Sequence, residues 1–108
     1  MTDDDALQIL VALGDARRFD IIRRLRSVPD QPAGKLADLA PSTITHHLKM
    51  MQQAGLVSCE RDGRQSRYTI REQTLINLAR WLEGAAHEAI LGRASAFTDY
   101  PEEIANKS

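Results

Sequence analysis

A mostly α-helical domain carrying one small β-hairpin is what this sequence predicts, and three observations predict it. Apolar residues recur at helical spacing in several stretches between Asp4 and Gly92. Two short stretches rich in β-formers, Leu56 to Arg61 and Arg67 to Ile70, flank an Asp62-Gly63 turn signal. The 108 residues suit one domain rather than two.

The first helix is expected from about Asp4 to Leu13. Acids at its start complement the helix dipole, and Gly14 stops it. Leu7, Leu10 and Val11 share one face, and Ile9 and Leu13 widen it. A second helix follows from Asp15, a suitable N-cap, to Ser27, with Phe19, Ile22 and Leu25 as its inward stripe. Pro29-Asp30-Gln31-Pro32 reads as a turn, and a short helix is expected from about Ala33 to Leu39. The next helix begins at Pro41, where a missing N–H costs nothing, and is closed by Gly55. Along it Ile44, Leu48 and Met51 point one way, while Ser42, Thr45, His46, Lys49 and Gln53 point mostly the other. After the hairpin a long helix runs from about Glu72 to Gly92, with Leu75, Leu78, Ala79, Leu82, Ala86, Ala89 and Ile90 as its stripe. Residues 1–92 are thus read as the domain. Residues 93–108 are read as a polar tail relieved only by Phe97, Tyr100 and Ile104. A short helix, a tight turn, a polar-faced helix and then a basic hairpin is the order of a winged helix-turn-helix.

Composition excludes several other classes. Apolar residues are 43 % and charged residues 27 %, an ordinary globular balance. No apolar run nears the ~18 residues of a membrane span. The acidic start, Asp3-Asp4-Asp5, is no secretory signal, so the expected location is cytoplasmic and away from membranes. A single cysteine, Cys59, excludes an intramolecular disulfide and a thiolate zinc cluster. The net charge of −1 hides an asymmetry, because Ala16 to Ile70 holds ten bases against five acids, a net of +5. A local positive face of this kind suits duplex DNA better than the total suggests. No row of aromatics is present to stack single strands. Catalysis has no support: there is no phosphate-binding Gly-rich loop and no nucleophile–base pair.

Reading the major groove needs a helix with small polar side chains near its N-terminus. Ser42, Thr43, Thr45 and His46 supply them, and Lys49 one turn later reaches for phosphate. In the hairpin, Arg61, Arg64, Gln65 and Arg67 form a second positive element, suited to flank or enter a minor groove. His46 and His47 point about 100° apart on a helix, so they chelate a metal poorly together. His46 is therefore read as a DNA contact and His47 as a half-buried support.

Gly14-Asp15-Ala16-Arg17-Arg18-Phe19-Asp20-Ile21-Ile22 resembles the second-helix signature of the ArsR/SmtB family of bacterial repressors. Ser42-Thr43-Ile44-Thr45-His46-His47-Leu48-Lys49, followed by Gln53-Ala54-Gly55-Leu56-Val57, resembles its recognition helix and exit. Asp62-Gly63-Arg64 and Arg67-Tyr68 match its wing, and the similarity spans Leu7 to Leu82. The resemblance implies a homodimer joined by the first and last helices, here through Leu7, Leu10, Leu75, Leu78, Trp81 and Leu82. It also implies a repressor that occludes a promoter, with the recognition helix and wing arginines on DNA. Three departures stand out. The segment Gly34 to Ala40 is short, and His46 stands where arginine is common. The family's thiolate and zinc ligands are also missing, leaving only His87 with Glu88 on the last helix. The reading is therefore a metal-independent regulator with no cofactor. The alternatives are a sensor gated by a small molecule, by zinc at His87 or by oxidation of Cys59, and a winged-helix protein-interaction module.

Overall fold

The computed structural model describes residues 1–99, with side chains through residue 94. Helix α1 spans Asp3–Leu13 and α2 spans Ala16–Ser27. A two-residue strand β1, Gln31–Pro32, leads into a single 3₁₀ turn, Ala33–Lys35. Helix α3 spans Pro41–Gln53, strands β2 and β3 span Val57–Asp62 and Gln65–Ile70, and α4 spans Glu72–Asp99. The antiparallel sheet has the order β1-β3-β2. Residues through Leu78 form one compact unit, and Ala79 onward, the remainder of α4, forms a second. No described helix is long and apolar enough to cross a membrane.

Local chemistry explains most of these boundaries. Thr2 caps α1, accepting from the Asp5 N–H at 3.1 Å while the Asp5 carboxylate accepts from the Thr2 N–H at 3.0 Å. Asp15 caps α2 through the N–H groups of Arg17 and Arg18. Pro41 opens α3 as expected. The exit of α3 needs its glycine: Gly55 sits at φ +76°, its N–H donates to Gln52 O, and the Leu56 N–H donates to Met51 O. An added Cβ at Gly55 would stand 3.7 Å from Thr74 Oγ1, an ordinary contact, so the conformation alone is at stake. Gly55→Ala is expected to cost about 1–2 kcal/mol in chemical denaturation. Gly34→Ala, which meets nothing within 4 Å, serves as the near-neutral control.

The core of the first unit is built around α3, which packs on α1, α2, the 3₁₀ turn and β2. Ile44, Leu48 and Met51 are its buried stripe, joined by Ile21, Leu25, Leu36, Leu56, Val57 and Tyr68.

Several expectations need correction. In α2 the inward stripe is Arg18, Ile21 and Leu25, while Phe19 is 52 % exposed. The rotation follows from Arg18, which finds partners inside the domain. In α1, Ile9 does not widen the face of Leu7, Leu10 and Val11, which stays exposed; it packs inward with Ala6 and Ala12. The expected helix from Ala33 to Leu39 is one 3₁₀ turn ending at Leu36, whose side chain is fully buried as an anchor. The expected turn at Pro29 to Pro32 is half right. Asp30 turns the chain at φ +60°, but Gln31 and Pro32 then pair with Tyr68 and Arg67 on β3. A proline is tolerated there because β1 is an edge strand. Helix α4 continues beyond Gly92 through Asp99. Tyr100 and Ile104 lie outside the described residues, as does the side chain of Phe97.

Candidate nucleic-acid interface

Burial of Ile44, Leu48 and Met51 fixes which side of α3 faces out. Ser42, Thr45, His46 and Lys49 are exposed on it and Thr43 is half-buried. The helix start is also open. Unlike α1 and α2, α3 has no side-chain cap, its N-cap residue being Ala40, and its first turn holds no acid. The Ala40 carbonyl accepts from the N–H groups of Thr43 and Ile44. The positive end of the helix dipole is thus not neutralised locally, which favours an anionic partner such as a backbone phosphate.

The wing is a two-residue hairpin. Asp62 pairs with Gln65, and Gly63 at φ +62° makes the turn with Arg64. Arg61, Arg64 and Gln65 are exposed at or beside the tip. Arg67 differs from the other wing bases. It stands across from Glu60, on the opposite face from Arg61, and its guanidinium is engaged. Nε donates to the Asp30 carboxylate at 3.2 Å and Nη2 donates to the Asp30 carbonyl at 2.7 Å. Arg67 therefore braces the wing against the turn before β1.

The residues expected at a dimer interface fall into two groups. Leu7 and Leu10 are 59 % and 39 % exposed, Leu82 is 47 % exposed, and Leu75 and Trp81 are half-buried. Leu78 is only 6 % exposed and belongs to the chain's own core.

His47 is buried, as its spacing suggests, and meets Arg18, which no local pattern singles out among the bases of α2. Arg23 and Arg24 both pair with Asp20, the latter at 2.9 Å, so part of the basic surface of α2 is internally compensated. Cys59 is half-buried directly across from Tyr68, whose hydroxyl is pushed up in pKa by burial and by its hydrogen bond to the thiol. His87 is exposed on α4, and among the described residues no three His, Cys, Asp or Glu side chains converge as metal ligands.

A buried helix with a polar outer face, preceded by one 3₁₀ turn and followed by a basic hairpin, defines a winged helix-turn-helix domain. Comparison with known proteins agrees. The chain is 30 % identical over 76 residues to the uncharacterized HTH-type transcriptional regulator YceK of Bacillus subtilis (strain 168), covering 67 % of this chain and 76 % of the relative. An ArsR-like transcriptional regulator from Rhodococcus sp. RHA1 superposes with a TM-score of 0.79 at 27 % identity, over 92 % of this chain and 95 % of that one. The homodimeric winged helix-turn-helix DNA-binding domain of Mb0332 from Mycobacterium bovis has the same fold, with a TM-score of 0.63 at 22 % identity over 83 % and 91 % of the two chains. No protein-family model matches the chain. The chain belongs to the ArsR family of helix-turn-helix transcriptional regulators. It is accordingly a DNA-binding transcriptional regulator.

Proposed function

We propose that this regulator acts as a homodimeric repressor at a pseudo-palindromic operator. The observation that carries the reading is the outer face of α3, where Ser42, Thr45, His46 and Lys49 lie exposed around an uncapped helix start. Two such helices, set about 34–36 Å apart by a two-fold axis, enter successive major grooves. Thr43, Thr45 and His46 then read base edges, Ser42 and Lys49 hold phosphate, and Arg61, Arg64 and Gln65 at the wing lie over the flanking minor groove. The homodimeric state of the Mycobacterium bovis domain supports the two-fold arrangement. So do the apolar side chains that α1 leaves exposed, Leu7, Leu10 and Val11, and those that α4 leaves exposed, among them Leu82 and Ile90.

The test is fluorescence anisotropy with a duplex from upstream of the protein's own gene and a scrambled duplex, at several salt concentrations. At least ~10³-fold preference for the first, with a log–log salt slope of several units, is expected. Thr43→Ala or His46→Ala should each cost about 1–3 kcal/mol and relax discrimination at one base pair. Arg64→Ala should weaken both duplexes alike and lower the salt slope by about one unit. Equal, weak binding to both duplexes would transfer the outer face of α3 to a protein partner instead. Repression itself is read from a promoter fusion: a deletion of the gene raises expression if the protein represses and lowers it if it activates.

A further inference from the structure

Arg18 is the one basic side chain of α2 that is buried, and its four contacts join three helices. Nε donates to the Ala12 carbonyl at 2.7 Å and Nη2 lies 3.4 Å from the Val11 carbonyl. Both carbonyls belong to the last turn of α1, where the Val11 carbonyl also accepts from the Gly14 N–H at 3.3 Å. That turn carries no base of its own, so Arg18 also supplies the positive charge its dipole lacks. The other side of the guanidinium faces α3: Nη1 lies 3.1 Å from His47 Nδ1 and 3.5 Å from Met50 Sδ.

This geometry dictates a protonation state. A guanidinium can only donate, so Nδ1 of His47 must accept, and the imidazole is neutral with its proton on Nε2. The charged and titratable groups facing His47 are Asp15 at the cap of α2, Arg17 and Arg18 on α2, and His46 beside it on α3. Burial, reinforced by the Arg18 charge, lowers the imidazole pKa against the opposing pull of Asp15. The neighbouring residues His46 and Lys49 lie on the proposed reading face, so a shift of His47 moves that face directly.

We propose that Arg18 and His47 are positioning residues for operator reading, forming a strut that seats the DNA-reading helix against the last turn of α1. The inference rests on the proposed reading face of α3. Its consequence is directional. The face of α1 that bears Leu7 and Leu10 is the proposed contact between copies. The strut then ties the orientation of the reading helix to the helix that sets the spacing of the two half-sites. Protonation of His47 removes the acceptor and sets two cations against each other at hydrogen-bonding distance, which releases the strut. The contribution of His47 is intact above its unfolded value of about 6.5 and is lost as pH falls from there toward the lowered folded value.

The test compares wild type with His47→Gln, which keeps an acceptor but cannot become charged, and with His47→Leu, which has none. Operator and scrambled duplexes are titrated between about pH 7.5 and about pH 5.5, across the imidazole range. His47→Leu should lose roughly 3- to 30-fold in the operator-over-scrambled ratio at the upper pH. His47→Gln should retain the wild-type ratio there and lack the wild-type decline on acidification. Superimposable pH profiles for wild type and His47→Gln, or a full ratio in His47→Leu, would overturn the strut. Amide resonances of free protein give a readout that needs no DNA. In wild type, Ala12 and Leu13 in α1 and Thr45 in α3 should move with one common midpoint, and His47→Gln should abolish it. If wild type fails to discriminate the duplexes, the DNA-reading face is wrong, and the resonances alone decide the strut: a shared midpoint supports it and separate midpoints reject it.

Discussion

Leu48→Ala should lower the stability of the domain by about 2–5 kcal/mol, the range for emptying a well-packed leucine site. Leu48 is 1 % exposed and lies midway along the stripe Ile44, Leu48 and Met51. Helix α3 is the element that α1, α2, the 3₁₀ turn and β2 all touch, so no single neighbour can move in to fill the void without leaving another contact. For a domain of this size each kcal/mol corresponds to about 4–8 °C in the melting midpoint. Urea denaturation should show a lower midpoint with an unchanged slope. Lys49→Ala, one residue further on the exposed face, should stay within about 0.5 kcal/mol of wild type in the same experiment. It should nonetheless weaken binding to every duplex. The pair separates the two sides of one helix: one side holds the fold and the other is the proposed DNA face. A loss below about 1 kcal/mol for Leu48→Ala would mean that the surrounding elements collapse into the cavity, contrary to a core organised around α3.

What could be read in the sequence was whatever depends on near neighbours in the chain. Pro41, the Ile44-Leu48-Met51 spacing, Gly55 and the Asp62-Gly63 turn each act within one or two turns of backbone, and each stands where expected. The outward row of α3 followed from the inward one. The failures came where distant partners decide. In α2 hydropathy alone favours Phe19 for the interior, but Arg18 is buried because Ala12 O and His47 await it. A hint was present: the last turn of α1 has no base, and a helix end without one invites a cation from elsewhere. Strand β1 exists because β3 offers it an edge, a fact about Tyr68 and Arg67 rather than about Gln31 and Pro32. Arg67 illustrates the same limit, since its engagement by Asp30 across the turn leaves no trace in the local pattern. Gly92 reads locally as a helix end, yet an interior glycine costs only about 1 kcal/mol there, and α4 continues through it.

The α1 face is the place where burial and composition disagree, and it yields the largest functional prediction. Ordinary packing would turn leucines inward, yet α1 buries Ala6 and Ala12 beside Ile9 and leaves Leu7, Leu10 and Val11 in solvent. Small inward residues let the helix approach its own domain closely, and in the proposed dimer the large ones meet a second copy. In the proposed dimer the two reading helices bind as a linked pair, so the second contact is made at high effective concentration. Leu7→Gln combined with Leu10→Gln should therefore separate the chains at concentrations where wild type sediments as a dimer. Stability measured at matched, low concentration should change little, because neither leucine is buried within one chain. Operator affinity should fall by about 10²–10⁴-fold, the contribution expected from linking two modest half-site contacts. Binding to a single isolated half-site should be nearly unchanged, since α3 and the wing are untouched. The substitutions add no charge, so the loss cannot come from repulsion of phosphate. A variant that still sediments as a dimer and holds the full operator with wild-type affinity would remove α1 from the interface and leave α4 to supply it.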